Sequence, residues 1–133
     1  MNQNYEEISG ETAQANFTSW AESLLTRDPK KVAVLYADDA TFLPTVSGEF
    51  KKGQTGAAEY FEHFLQKNPV GELIQGEVQI LGPDCYAQSG MYNFELGPDD
   101  NRQTVEARFT FIWRRENGEW KIIHHHSSVK PRP

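Results

Sequence analysis

The stretch VEARFTFIWRRENGEWKIIHHHSS at residues 105–128 decides the fold of this chain. Along residues 108–113 the aromatic Phe109, Phe111 and Trp113 alternate with Arg108, Thr110 and Ile112, the pattern of a strand whose side chains face opposite sides. Asn117 and Gly118 then favour a tight turn between two antiparallel strands. The stretch therefore predicts a β-hairpin with one apolar, aromatic face and one charged face.

The return strand of this hairpin ends in three consecutive histidines, His124, His125 and His126. Side chains on a strand point alternately to opposite sides, so His124 and His126 share one face and His125 takes the other. No other stretch of the chain has residue types that indicate chemistry as strongly.

Composition limits the class of protein. With 133 residues and a single cysteine, Cys85, the chain predicts one domain without a disulfide framework, in a reducing compartment. The polar N-terminus lacks a signal-peptide pattern, and no apolar run approaches the roughly 18 residues of a membrane span. We therefore expect a cytoplasmic protein. The net charge of -6 argues against binding to nucleic acid or to an anionic membrane.

The hydrophobic period changes from helical to alternating near the middle of the chain. We predict a helix over residues 11–27, a short helix opening at Asp28, a strand over 40–44 and a third helix ending before Asn68. Four antiparallel strands complete the chain, over residues 72–81, 85–96, 104–114 and 119–128.

Helices followed by a meander predict an α+β fold. We expect a curved antiparallel sheet of four to six strands, wrapped into a cone around the long N-terminal helix and accompanied by two shorter helices. The predicted organisation is a flexible N-terminus at residues 1–10, one domain at 11–128 and a tail at 129–133.

Four blocks of sequence carry a family resemblance: YADDATFLP at 36–44, AEYFEHFL at 58–65, GMYNFEL at 90–96 and ARFTFIWRRENGEWKIIHHHSS at 107–128. The chain resembles the nuclear transport factor 2-like (cystatin-like α+β) superfamily, and SnoaL-like proteins more broadly. It is most similar to the association, or hub, domain of calcium/calmodulin-dependent protein kinase II and to its stand-alone bacterial relatives. The motif W-x-R-x-x-G-x-W-x-x-x-H-x-H is its most specific part.

The resemblance implies a ring-forming oligomer without catalytic activity, with a deep pocket between the helix and the sheet. In the kinase hubs, arginines on the last three strands line that pocket. Those positions fall near Asn93, Phe111 and Ser127 here, and none of them is arginine. The carboxylate ligand of the kinase hubs therefore does not carry over. Nor does kinase activity, since the sequence holds no kinase region.

The length of the hairpin turn decides which side chains share the pocket. A three-residue turn places Thr110 opposite His124, so that Arg108 and His126 share their face. A two-residue turn shifts the register by one residue and places Arg108 and Thr110 beside His125 and Ser127 instead. We favour the three-residue turn, because it agrees with the hub arginine positions.

Under that register we predict a pocket and an interface. The pocket combines polar groups with an aromatic set that has core periodicity; its residues are Trp20, Tyr36, Tyr92, Asn93, Glu95, Phe109, Phe111 and His125. The opposite face is the candidate subunit interface and carries Arg108, Thr110, His124 and His126.

Arg108 is the strongest single candidate for function or assembly, because an arginine in the middle of a strand is costly without a partner. A structural salt bridge to Glu106 or Glu95 explains it equally well. His124 and His126 have the spacing of a metal-binding pair, but a strong site needs a third ligand. We expect hydrogen-bonded structural histidines, with no metal and no cofactor.

Two functional classes follow. The first is a hub-like, non-catalytic domain that associates with itself and binds a small molecule. The second is a SnoaL-like isomerase, cyclase or hydrolase acting on an apolar substrate, with His125, Glu95 or Asp38 moving a proton. The hub resemblance is closer residue by residue, so we favour a homodimer or larger homo-oligomer.

Overall fold

The computed structural model describes residues 6–45 and 47–133. The elements, in chain order, are α1 (Gly10–Leu25), α2 (Pro29–Ala33), β1 (Tyr36–Leu43), β2 (Lys51–Lys52), α3 (Gly53–Phe64) with a 3₁₀ turn (Leu65–Lys67), β3 (Val70–Gly82), β4 (Cys85–Leu96), β5 (Gln103–Glu116) and β6 (Glu119–Val129). Residues 1–5 of the predicted flexible N-terminus lie outside the described residues.

Helix α1 begins and ends on local signals. Ser9 caps it by accepting the backbone N–H of Thr12, while the Thr12 hydroxyl accepts the backbone N–H of Ser9. The helix ends at Leu25, two residues before the predicted end, because Arg27 adopts a left-handed backbone with φ of 58°. Its buried side turns Phe17, Trp20 and Leu24 towards the sheet.

The six strands form one sheet in the order β2-β1-β6-β5-β4-β3. The predicted α+β class is confirmed, with three helices on the inner side of a curved sheet. One pairing differs from the expected antiparallel arrangement, since β1 runs parallel to β6. The long crossover between them, which contains α3 and strands β2 to β5, returns the chain to the same end of the sheet, as a parallel neighbour requires.

The hairpin between β5 and β6 has a two-residue turn, so the predicted three-residue turn is wrong. Asn117 and Gly118 both have positive φ, 52° and 79°, and Glu116 pairs with Glu119. Further along, the bulge residue Ile123 has no partner, because Trp113 pairs with Ile122 and Ile112 with His124.

This bulge restores the predicted faces. The one-residue insertion shifts the pairing so that Thr110 lies opposite His126 and Phe111 opposite His125. Arg108 and Thr110 therefore share a face with His124 and His126, and His125 lies on the other one. We call the face of Arg108, Thr110, His124 and His126 the outer face, and the face that packs against the helices the inner face.

A second bulge adds to the sheet curvature at β3 and β4. Leu73 pairs with Tyr92 and Gln75 with Met91, which leaves Ile74 as the extra residue. The Gln75 carbonyl oxygen turns onto Gly90, where any Cβ atom would overlap it. Only glycine fits at position 90.

The core lies between α1, α3 and the inner face. Its largest fully buried side chains are aromatic, among them Trp20, Tyr36, Tyr86, Tyr92, Phe111 and Trp113. Trp20 stacks on Tyr92 at 5.8 Å between ring centroids, which joins the helix to β4. Among the described residues, no helix is long and apolar enough to cross a membrane.

Candidate functional site

His125 lies at the centre of the inner face and is 2% exposed. Its ring stacks between Phe111, at 4.0 Å between centroids, and Phe42, at 4.8 Å. Burial lowers the pKa of His125 well below its usual value, and His124 and His126 lower it further. The imidazole is therefore neutral at physiological pH.

Both ring nitrogens of His125 contact tyrosine hydroxyls. Nδ1 lies 2.9 Å from the Tyr36 hydroxyl and Nε2 lies 3.0 Å from the Tyr92 hydroxyl. Trp20 extends the arrangement on one side, with Nε1 donating to the Tyr36 hydroxyl at 3.2 Å. On the other side Tyr92 donates to Ser127 Oγ at 2.5 Å.

Ser127 continues to the Thr45 hydroxyl, with which it forms a hydrogen bond. We call this run of hydrogen bonds the polar chain; its members are Trp20, Tyr36, His125, Tyr92, Ser127 and Thr45. The links connect α1, β1, β6, β4 and the segment after β1, so the polar chain crosses the middle of the domain.

The polar chain has one direction that uses every hydrogen. The Trp20 indole can only donate, and the Tyr92 hydroxyl donates its hydrogen to Ser127. Tyr92 must therefore accept from His125, which makes Nε2 the protonated ring nitrogen. Nδ1 then accepts the hydrogen of Tyr36. The opposite tautomer would leave the Tyr36 hydrogen without an acceptor in the core.

The tyrosines of the polar chain are also neutral. Burial raises the pKa of Tyr36 well above its usual value, and burial raises that of Tyr92 in the same way. All groups in the polar chain therefore stay uncharged near neutral pH.

The cavity beside the polar chain is small. Its volume is about 10 Å³, and its lining is mostly aromatic: Trp20, Phe42, Thr45, Tyr60, Phe61, Phe64, Tyr92, Phe94, His125 and Ser127. A space of this size holds about one water molecule. The deep pocket implied by the hub resemblance is filled here by side chains.

A larger pocket lies outside this cavity. It has a volume of about 200 Å³ between α3 and the segment that precedes it, and its residues are Thr45, Ser47, Glu49, Lys51, Glu59, Tyr60, His63, Phe64 and Lys67. Thr45, Tyr60 and Phe64 line both spaces and form the wall between them. We call this the outer pocket.

Six of the eight predicted pocket residues lie on the inner side. Trp20, Tyr92 and His125 line the small cavity, while the buried side chains of Tyr36, Phe109 and Phe111 pack in the surrounding core. The structure therefore brings together the aromatic part of the predicted pocket around His125.

The predictions for Asn93 and Glu95 are wrong. Tyr92 and Phe94 occupy the inner side of β4, so the alternation of the strand turns Asn93 and Glu95 outwards. Glu95 accepts a hydrogen bond from the Thr104 hydroxyl at 2.7 Å near the surface. It therefore cannot form an acid–base pair with His125.

Asp38 is also separate from His125. It lies in the irregular part of β1 between the paired residues Tyr36 and Thr41, and it is exposed. The neighbouring Asp39 is held by Arg114 at 2.8 Å and 3.2 Å. The cavity beside His125 consequently has no carboxylate in its lining.

Arg108 lies exposed on the outer face. Within residues 6–45 and 47–133 it makes no hydrogen bond or ion pair, so the alternative of a structural salt bridge to Glu106 or Glu95 is not observed there. Glu106 lies 3.8 Å from Lys130 instead, and Glu95 is bound to Thr104.

Thr110, His124 and His126 complete the outer face. His124 Nδ1 contacts the Thr41 hydroxyl at 2.8 Å, and the rings of His124 and His126 are 6.4 Å apart between centroids. No group of three or more His, Cys, Asp or Glu in the described part of the chain could hold a metal ion.

Two members of the polar chain were not predicted as pocket residues. Ser127 was considered only as the position of a hub arginine, although its spacing of two from His125 places it on the same face. Thr45 reaches Ser127 through the non-local pairing of β1 with β6. The sequence carries no local signal for that contact.

The cone of sheet and helices, with its aromatic interior, defines a protein of the nuclear transport factor 2-like, cystatin-like class. A nuclear transport factor 2-like protein with a cystatin-like fold from Novosphingobium aromaticivorans superposes with a TM-score of 0.77, over 92% of this chain and 82% of that one. Its sequence identity of 12% supports the fold alone.

Residues 11–131 match the model of the calcium/calmodulin dependent protein kinase II association domain. The chain belongs to this family, which confirms the resemblance read from the sequence. A structure described as such an association domain from Xanthomonas campestris is 36% identical, covers 100% of both chains and has a TM-score of 0.88.

A curated relative is the delta subunit of calcium/calmodulin-dependent protein kinase type II from Oryctolagus cuniculus. It is 28% identical over 95 residues, which are 68% of this chain and 18% of the kinase subunit. The chain thus corresponds to less than a fifth of that protein.

Proposed function

We propose that this protein is a non-catalytic, hub-like domain that assembles into a homo-oligomer through its outer face. Membership of the association-domain family supports self-association. The position of Arg108 carries the choice of surface, because a strand-centre arginine on a sheet face without helices has no partner within the described chain.

The outer face has the character of an interface that a second copy would cover. Helices cover the inner face, whereas Thr110, Ile112 and His124 are only half-buried on the outer one. Glu95 and Glu106 are also on the outer side of the sheet. A symmetric pair, which buries the same patch of both copies, can therefore set Arg108 against a carboxylate of its partner.

The surroundings of His125 support the proposal of a non-catalytic domain. Its two nitrogens are occupied by Tyr36 and Tyr92, and the cavity beside it has room for about one water molecule. Without a neighbouring carboxylate, the neutral imidazole has no acidic partner for proton transfer. We propose that the hydrogen bonds of the polar chain fix a single arrangement of the buried side chains in the core.

Small-molecule binding belongs in the outer pocket rather than in the core. Its volume of about 200 Å³ is below the range of sites for drug-sized ligands, so it fits a small ligand. The rings of Tyr60 and Phe64, stacked at 5.4 Å, give it an apolar side, and Thr45 supplies a hydroxyl.

A small enzyme is the second candidate function. The observation that favours it is the shared wall of Thr45, Tyr60 and Phe64, through which an opened cavity would reach the His125–Tyr92 pair. Such an enzyme would bind an apolar substrate only after this wall moves.

Light scattering coupled to size exclusion, followed by native mass spectrometry of the same peak, tests the proposal. We expect a closed homo-oligomer without bound substrate in the core. A monomer at all accessible concentrations would contradict the association. A co-purified apolar molecule that is lost in a His125→Phe variant would support the enzyme instead.

A further inference from the structure

We propose that acidification disassembles the oligomer, because His124 and His126 must be neutral when the outer face is covered. This inference rests on the proposed function, since it concerns the regulation of the same surface. In this proposal the two histidines control assembly through their protonation, which is neither a catalytic nor a metal-binding role.

The two imidazoles occupy the centre of the outer face. His126 lies opposite Thr110 on β5 and Leu43 on β1, and His124 lies opposite Ile112 and Thr41. All four opposing residues are uncharged. A proton on either histidine therefore has no directly opposed carboxylate to stabilise it.

The nearest charged side chains on the two neighbouring elements, β5 and β2, include three cations. On β5, Arg108 lies one pair beyond Thr110. On β2, Lys52 pairs with Thr41, the residue that holds His124, and Lys51 is held by Glu49 and Glu59.

None of the carboxylates around this centre is paired with His124 or His126. Asp39 on β1 is held by Arg114, which also pairs with Glu116, and Glu106 on β5 lies beside Lys130. Asp38, also on β1, is exposed in the irregular segment before Thr41. Glu95 on β4 and Glu77 on β3 also face outwards, but they lie two and three strands away from β6. Protonated histidines would consequently carry a charge that no carboxylate on a directly paired residue stabilises.

Association raises the free-energy cost of a positive charge on His124 or His126. In the single chain, burial and the nearby His126 already lower the pKa of His124. Covering the face removes more water, and a symmetric partner adds a second pair of imidazoles. Protons therefore bind the separated chains more tightly than the oligomer, and association weakens as the pH falls through the histidine range.

Sedimentation velocity on a dilution series at pH 7.5, 6.5 and 5.5, at constant ionic strength, tests this inference. Each proton released on association changes the dissociation constant by up to about tenfold per pH unit. We expect the dissociation constant of the native protein to rise by about tenfold or more between pH 7.5 and 5.5. Circular dichroism at both pH values checks that the chain remains folded.

Three variants make the result specific. The double variant His124→Gln/His126→Gln should stay associated with a flat pH response. Glu62→Gln, on the exposed side of α3, removes a titratable group away from the outer face and should behave like the native protein. His126→Lys, which carries a permanent charge, should weaken association at pH 7.5.

The outcomes separate the two proposals. An oligomer whose dissociation constant does not change with pH would overturn the acid response while leaving self-association intact. The same holds if the double variant keeps the full pH response. A protein that is monomeric at pH 7.5 would overturn the proposed function itself.

Discussion

His125 Nδ1 lies 2.9 Å from the hydroxyl of Tyr36, and this contact joins the last strand of the sheet to the first. Both groups are buried, so neither can exchange the partner for water. The pair is the centre of the polar chain, and its hydrogen bonds explain how a polar strand end can lie inside an aromatic core.

Tyr36→Phe tests the contribution of this contact to stability. The change leaves His125 Nδ1 and Trp20 Nε1 without their shared partner, and each unsatisfied buried group costs about 1–3 kcal/mol. We expect the free energy of unfolding in urea to fall by at least that amount. Tyr60→Phe is the matched control, since its half-buried hydroxyl donates only to the Thr45 carbonyl; a smaller loss is expected there. Equal losses in the two variants would show that the Tyr36 hydroxyl contributes no more to stability than the Tyr60 hydroxyl.

The direction of the polar chain predicts the tautomer of His125. Long-range ¹H–¹⁵N correlation spectra should show a neutral ring with the proton on Nε2, because Nδ1 accepts from Tyr36. The exposed His63 serves as the internal reference. A signal pattern with the proton on Nδ1 would contradict the direction assigned from Trp20 and Tyr92.

Acid should destabilise the fold through the same residue. The pKa of His125 is lowered in the folded chain, so the unfolded chain binds the proton more readily. The stabilising contribution is present above the ordinary histidine pKa of about 6.5 and is lost as the pH falls below it, by up to about 1.4 kcal/mol per pH unit. Urea titrations between pH 7 and 5 should show this slope, and His125→Phe should reduce it. An unchanged slope in the variant would assign the acid sensitivity to other groups.

Gly90→Ala tests the bulge that shapes β3 and β4. A Cβ atom at position 90 would overlap the Gln75 carbonyl, so the backbone must move. We expect a loss of about 1–3 kcal/mol, the range for overpacked positions. Gly82→Ala is the control, because no atom lies within 4 Å of the corresponding Cβ position. Thermal unfolding of the two variants compares them directly; equal midpoints would argue against the close approach at Gly90.

Local periodicity was sufficient to predict most elements. The limits of β4 were predicted correctly because turn residues flank it on both sides. β1 was predicted to begin at residue 40 but begins at Tyr36, since its irregular segment around Asp38 interrupts the alternation. Its parallel partner β6 is distant in the chain, and no local pattern encodes such a pairing.

Part of the candidate site could likewise be predicted from the sequence, and part could not. The faces of His125 and Arg108 follow from strand alternation, but the turn and the bulge at Ile123 each change the register by one residue, and only their combination gives the observed faces. Glu95 was placed by comparison with a hub arginine at Asn93, although Tyr92 beside them was assigned to the same pocket. Strict alternation excludes that combination.

The molar mass of the Arg108→Glu variant, measured by light scattering after size exclusion, tests directly whether the protein assembles through the outer face. Lys31→Glu, on the exposed side of α2, makes the same change of charge away from the outer face. We expect an oligomer for the native protein and for Lys31→Glu, and a shift towards the monomer for Arg108→Glu at the same concentration. An Arg108→Glu variant that is folded and fully associated would contradict assembly through the outer face.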